Sequence, residues 1–167
     1  MLFRSPFRQK LCRELIDAGA NAVICHHPHI WQGIEHYHRG LIAYSIGNFL
    51  FSIGEYQKKH SEVWNSGLLK IDVNFKNPKE PSLTYSVVPI QLDKKFYPVQ
   101  MKDKKAMQWI NRLKKLSTDL SDKEKLQSEW AKTSREETKA IFLGIYYCFF
   151  KKGIRSTISY VIHSFKQ

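Results

Sequence analysis

Ala18-Gly19-Ala20-Asn21-Ala22-Val23-Ile24-Cys25-His26-His27-Pro28-His29 is the stretch on which the reading of this chain turns. Gly19 sits where a glycine closes a helix. Ala22 to Cys25 then form a short apolar run of the kind buried as a strand between layers. The run leads straight into His26-His27-Pro28-His29. A helix followed by a buried strand that delivers polar residues at its C-terminal end is how α/β proteins build sites. In an extended segment, side chains two apart point the same way, so His27 and His29 can address one point in space. Pro28 stiffens the pair and removes a competing N–H donor. Imidazoles are common ligands for zinc, manganese and iron, so the pair reads as a metal site. A lone histidine is ordinarily a surface or satisfied core residue, and His36, His38, His60 and His163 are read that way.

Upstream, Ser5-Pro6 opens a helix, with serine as N-cap and proline at the first helical position. Phe7, Leu11 and Leu15 recur at i, i+4 and i+8, which predicts that they form its buried face. Downstream, Ile34 to Tyr37 and Leu41 to Ser45 flank Arg39-Gly40 and predict a hairpin. Gly47-Asn48 breaks the second strand and Phe49-Leu50-Phe51 resumes it. Residues 54–66 read as a polar loop. Gly67 to Val73 and Thr84 to Leu92 read as two strands joined by a turn at Asn77-Pro78-Lys79-Glu80-Pro81.

The pattern then turns helical. Met107, Ile110, Leu113 and Leu116 mark an amphipathic helix, and Ser121-Asp122-Lys123-Glu124 reads as a capping box opening a longer one. Ile154, Ile158, Val161, Ile162 and Phe165 mark a third. These changes divide the chain into a mixed α/β region, residues 1–95, and a basic helical extension, residues 96–167.

The chain has 167 residues and a formal net charge of +12, with the excess mainly in the last third. Residues 140–167 hold four basic side chains and no acidic one. A basic tail implies an anionic neighbour: a membrane surface, an acidic polymer or nucleic acid. No motif of the familiar nucleic-acid modules is present, which ranks nucleic acid last. Ile141, Phe142, Ile145, Tyr146, Phe149 and Phe150, followed by Lys151-Lys152, suit either an interfacial membrane helix or a helix packed on the sheet. The longest apolar run, Ala140 to Phe150, is far short of the roughly 20 residues needed to span a bilayer. Met1-Leu2-Phe3-Arg4 lacks the apolar core of a signal peptide. Three cysteines, Cys12, Cys25 and Cys148, are too few and too scattered for a disulfide framework.

From Ala18 to His29, on through Gln32-Gly33-Ile34-Glu35 and to Ala43-Tyr44-Ser45-Ile46-Gly47-Asn48-Phe49, the sequence resembles the CapA family of bacterial poly-gamma-glutamate capsule synthesis. The resemblance covers about residues 4 to 53, including the Ser5-Pro6 helix start. It implies the calcineurin-like metallophosphoesterase fold, an αββα sandwich with two metal ions at one edge. The chain would then be α/β: part of that sandwich, followed by a helical C-terminal extension. By the same resemblance His27 and His29 are metal ligands, His26 is a catalytic or supporting residue on the leaving-group side, and Asn48 lines the site by orienting its loop. The metals implied are two divalent ions, manganese, iron or zinc, and the location implied is the cell surface or membrane.

Two departures from the family pattern matter. Cys25 stands where the family has glycine, and a thiol there could coordinate, oxidise or fill space. The Asp-x-His, Gly-Asp and Asn-His motifs that the fold needs upstream do not occur in this sequence. Asp17 and Glu35 sit in the wrong context to replace them. Two imidazoles cannot hold a dinuclear centre, which also needs bridging carboxylates. The expectation is therefore a C-terminal half whose partner is the missing N-terminal half of the domain, inactive alone. The alternative is a non-catalytic accessory that holds an anionic polymer or a synthase at the membrane.

Overall fold

Ser5 caps the first helix as the sequence requires, its hydroxyl accepting from the Arg8 amide at 3.5 Å, with Pro6 in the first turn. In the computed structural model, which describes residues 5–26, 29–50, 61–77, 81–152 and 158, this helix (α1) runs Pro6–Asp17. The buried face differs from the one the spacing predicts. Gln9, Cys12 and Ile16 face the core, whereas Phe7, Leu11 and Leu15 are 74%, 44% and 45% exposed. Both stripes have helical spacing, so periodicity could not choose between them; the neighbouring sheet does.

Three short strands follow: β1 Ala22–Ile24, β2 Ile34–Tyr37 and β3 Gly40–Ala43. They form one sheet in the order β1-β3-β2. β1 runs parallel to β3, pairing Val23 with Ile42, and β2 runs antiparallel to β3, pairing Glu35 with Ile42. The predicted hairpin is present, with Arg39 in its turn. β3 is central and buried along its whole length. Its residues alternate between two apolar clusters, as a strand with both faces covered must. Ile42 and Tyr44 join Cys12 and Ile16 of α1. Leu41 and Ala43 join Trp31, Ile34 and Leu113, with Leu69, Ile71, Leu83 and Val87 of the next strands.

Those next strands are β4 Asn65–Asn74, β5 Ser82–Leu92 and β6 Pro98–Gln100, an antiparallel meander. β4 and β5 are where the sequence put them, and each is longer. β6 was not foreseen. A 3-10 turn, Ser61–Trp64, precedes β4, so the end of the expected 54–66 loop is structured. Phe49 and Leu50 form a bend rather than a resumed strand, and Phe51 lies outside the described residues. The fold is thus mixed α/β, with two small sheets.

Helix α2, Asp103–Thr118, buries Leu113 and Leu116, while Met107 is exposed. It closes against Gly33, the residue before β2. A Cβ there would lie 2.6 Å from Leu120 Cδ1 and 2.7 Å from the Leu116 carbonyl oxygen, so only glycine permits this approach. Ser117 fixes the same join, its hydroxyl accepting from the Ile34 amide at 2.9 Å. The last helix, α3, runs Lys123–Lys152. Its cap is Asp122, which accepts from the Lys125 amide at 2.9 Å, and not the predicted Ser121, which belongs to a 3-10 turn. The Ser121 hydroxyl donates instead to the Thr118 carbonyl at 2.7 Å.

The chain divides into two compact units, residues 1–127 and 128–167. The first therefore includes α2 and the start of α3. In the second, Phe142, Leu143, Tyr146 and Phe150 stand about two-thirds exposed on one side of α3. Tyr146 and Phe150 are in ring contact, their centroids 4.5 Å apart. No helix among the described residues is long and apolar enough to cross a membrane. Of the expected third helix only Ile158 is described, and it is helical.

Candidate functional site

β1 ends where the site begins. Beyond Ile24 the parallel ladder continues through Cys25, whose amide donates to Ala43 O at 2.8 Å and whose carbonyl accepts from the Ile46 amide at 3.2 Å. The histidine segment is thus anchored against the 43–48 segment.

Ser45, fully buried, is the clamp between the two. Its hydroxyl donates to the His26 carbonyl at 3.2 Å and accepts from the Gly47 amide at 3.3 Å. Gly47 has φ +64, and a Cβ there would meet the Trp31 ring at 2.7 Å. The turn it permits presents Asn48. Trp31 forms the floor: it bridges to Ile46, donates from Nε1 to Ser66 Oγ at 3.2 Å, and packs edge-on against Trp109 at 5.4 Å. Ser66 passes the chain of bonds back to the Ile46 carbonyl at 3.3 Å.

On this shelf the structure brings His29 and Asn48 together. His29 Nδ1 lies 2.9 Å from Asn48 Oδ1. An amide oxygen only accepts, so Nδ1 carries a proton in this contact, and the neutral ring then has its lone pair on Nε2. An oxygen acceptor behind one ring nitrogen is the usual support for an imidazole that ligates through the other. His29 also sits at φ +67, a left-handed conformation uncommon among residues other than glycine, which histidine adopts more readily than most. Asn48 is 4% exposed, and its Nδ2 is buried without a partner among the described residues. An unmet buried donor costs about 1–3 kcal/mol, so it marks a place where an acceptor belongs.

His26 is exposed, and its carbonyl is held by Ser45. His27 lies outside the described residues. Cys25 is half-buried and meets Cys12 of α1, Sγ to Sγ 3.7 Å. The hydrogen bond from Cys12 draws the Cys25 thiol down to about 6, and the same contact with burial pushes Cys12 up. Among the described residues no three histidine, cysteine or carboxylate side chains converge on one point.

The two nearby acids have other partners. Glu35 accepts from Arg13 Nε at 3.2 Å and from the Tyr44 hydroxyl at 2.6 Å, with the Arg13 guanidinium over the Tyr37 ring at 5.0 Å. Burial first, and then Glu35, push the Tyr44 phenol well above its usual range. Asp17 accepts from the Tyr37 hydroxyl at 3.3 Å and lies 3.2 Å from His38 Nδ1. Sequence reasoning missed Ser45 and Trp31 as supports. A serine directly after a buried strand and before a glycine turn is the signal that could have found Ser45.

Residues 4–53 match the family model described as bacterial capsule synthesis protein PGA_cap. The chain is similar to the capsule biosynthesis protein CapA of Bacillus anthracis, 42% identical over 57 residues, 34% of this chain and 14% of that protein. It is similar to the PGA biosynthesis protein CapA of Bacillus subtilis, 45% identical over 47 residues, 28% of this chain and 12% of that protein. An uncharacterised protein of Sinorhizobium fredii is 56% identical over 47 residues, 28% of this chain and 10% of that protein. The matched stretch spans only 10% to 14% of the length of these relatives.

Proposed function

We propose that the chain, whose residues 4–53 match the bacterial capsule synthesis family model, serves poly-gamma-glutamate capsule synthesis by supplying one wall of a metallophosphoesterase-type metal site. The observation that carries this reading is the His29–Asn48 pair: a ring held through Nδ1 by the Asn48 oxygen, beside a buried amide donor that has no acceptor among the described residues. His29, with His27, would hold divalent metal, manganese, iron or zinc. When bound, such ions supply Lewis acidity toward a phosphoryl or related centre. Asn48 orients His29, and Ser45 fixes the strand end from which the histidines depart. His26, whose side chain is exposed, would meet a substrate's leaving group. Glu35 and Asp17 are engaged elsewhere, so the carboxylates of a two-metal centre would come from a complementary half of the domain. Support for a docking place comes from β1, an edge strand of its sheet, and from the exposed Phe7, Leu11 and Leu15 of α1.

A second reading, a holding role at the membrane, is favoured by one observation. The exposed aromatic side of α3 belongs to a stretch with basic and no acidic residues.

Titration of the chain with Mn²⁺ and Zn²⁺, followed by proton–nitrogen NMR of the imidazoles, tests the metal reading. The Nδ1–H tautomer of His29 is expected before metal. On titration the His29 Nε2 resonance shifts, and Asn48→Ala weakens binding about tenfold, the low end for a residue supporting a ligand. A His29 ring that titrates with metal no differently from His38 would end the proposal.

A further inference from the structure

Cys12 and Cys25 come from different elements, the middle of α1 and the end of β1, and meet with their sulfurs 3.7 Å apart. Both are free thiols. Cys12 is 2% exposed and packed in the cluster with Ile16, Ile42 and Tyr44; Cys25 lies at the margin of that cluster, half-buried. We propose that Cys12 and Cys25 are a dithiol pair that small-molecule disulfides convert to an intramolecular disulfide, a modification site at the root of the histidine segment. The proposal stands on this contact and does not depend on metal binding.

Three features favour it. A disulfide bond is about 2.05 Å long, so the sulfurs need to approach by less than 2 Å, within the reach of side-chain rotation. The backbone on both sides is already fixed. The Ala20 amide donates to Leu15 O at 3.1 Å in the turn between the elements, and Cys25 is held to β3 by its amide. Finally, the two thiols differ in access, which sets the order of events.

Cys25, the accessible member, attacks one sulfur of an added disulfide as its thiolate. A mixed disulfide forms at Cys25, and the first small thiol leaves with the proton that Cys25 gives up. Cys12 then attacks the Cys25 sulfur, the Cys12–Cys25 bond forms, and the second small thiol leaves with the Cys12 proton. Two protein thiols are oxidised by two electrons, and one small disulfide is reduced to two thiols. The product ties α1 to the strand end that carries His26 to His29.

The test uses the full chain carrying Cys148→Ser, treated with oxidised glutathione and mapped without reduction. The expected result is a monomer with no free thiol, two mass units lighter, with the peptides of Cys12 and Cys25 linked. It should revert with dithiothreitol and have a melting temperature several degrees higher while oxidised. A chain that stops with glutathione on Cys25 and a free Cys12 would overturn the proposal. So would two thiols that survive excess oxidant, or linkage only between two chains. Cys12→Ala, which keeps the small apolar volume, should accumulate the mixed disulfide at Cys25; if that variant does not fold, the map of the Cys148→Ser chain decides alone.

Discussion

The end of β1 and the outer half of α3 use the same kinds of residue to opposite effect. Beside β1, along the central strand β3 and just beyond it, apolar residues are enclosed and polar ones are held: Leu41, Ile42 and Ala43 are fully buried, Ser45 and Glu35 are paired, and the Asn48 oxygen faces the His29 ring. On α3, Phe142, Leu143, Tyr146 and Phe150 lie on the surface. Enclosure makes the first region intolerant of change, because a packed interior has no room to absorb it. Exposure makes the second tolerant in its fold while leaving about four large apolar side chains to be covered by something else. Substitutions in the two regions should therefore separate stability from binding.

The largest effect is expected at Gly33. Its Cβ position is already occupied by Leu120 Cδ1 and by the Leu116 carbonyl, and a backbone carbonyl cannot rotate away. Gly33→Ala should cost about 3 kcal/mol, the upper end for overpacking, by pushing α2 off the first sheet. Urea unfolding followed by tryptophan fluorescence reads this directly, since Trp31 and Trp109 are in edge contact across that join. An unchanged midpoint would mean that the join is looser than the enclosed region requires.

A smaller effect, with a pH signature, is expected at Tyr44. Its phenol donates to Glu35 and is buried, and both raise its folded pKa far above the ordinary value. A raised folded pKa contributes stability that is intact below the unfolded value of about 10 and is lost as pH rises beyond it. The wild-type chain should therefore lose stability with rising pH above about 10, whereas Tyr44→Phe should lose that part of the slope. At neutral pH the variant should be less stable by about 1 kcal/mol, the size of one hydrogen bond with a carboxylate left partly served by Arg13. Paired chemical denaturations at neutral and alkaline pH check both parts.

These sites also show what the sequence could tell. The order helix, buried strand, histidines and hairpin was legible because Ser5-Pro6, the Ala22 to Cys25 run and Arg39-Gly40 each act through local geometry. The buried face of α1 was not, because Phe7-Leu11-Leu15 and Cys12-Ile16 are both apolar at helical spacing and only the tertiary contact with Ile42 selects one. The resemblance put Asn48 at the site, and the structure adds its specific partner, His29. Ser45 and the Cys12–Cys25 contact needed three dimensions: the bonds run between residues 19 and 13 positions apart, with nothing in spacing to announce them. The place of β1 at the edge of its sheet, among the described residues, and the exposed stripe of α1 are likewise properties of packing.

The smallest effect on stability, and the sharpest contrast, belongs to α3. Phe142→Ser with Phe150→Ser removes exposed rings and should shift unfolding by no more than about 0.5 kcal/mol, as surface changes do. The same pair should be costly if the face meets a bilayer. Residues 140–167 bring cations without acids, so the occupant that complements both the rings and the charge is an anionic lipid surface. Sedimentation with vesicles of phosphatidylcholine and phosphatidylglycerol should capture the wild-type chain and capture the double variant at least tenfold less well. Pure phosphatidylcholine vesicles should bind weakly, and raised salt should weaken binding to the anionic ones. Equal capture of both chains would detach the rings from membrane binding. Self-association of the wild type without vesicles, lost in the variant, would instead assign the face to a second copy of the chain.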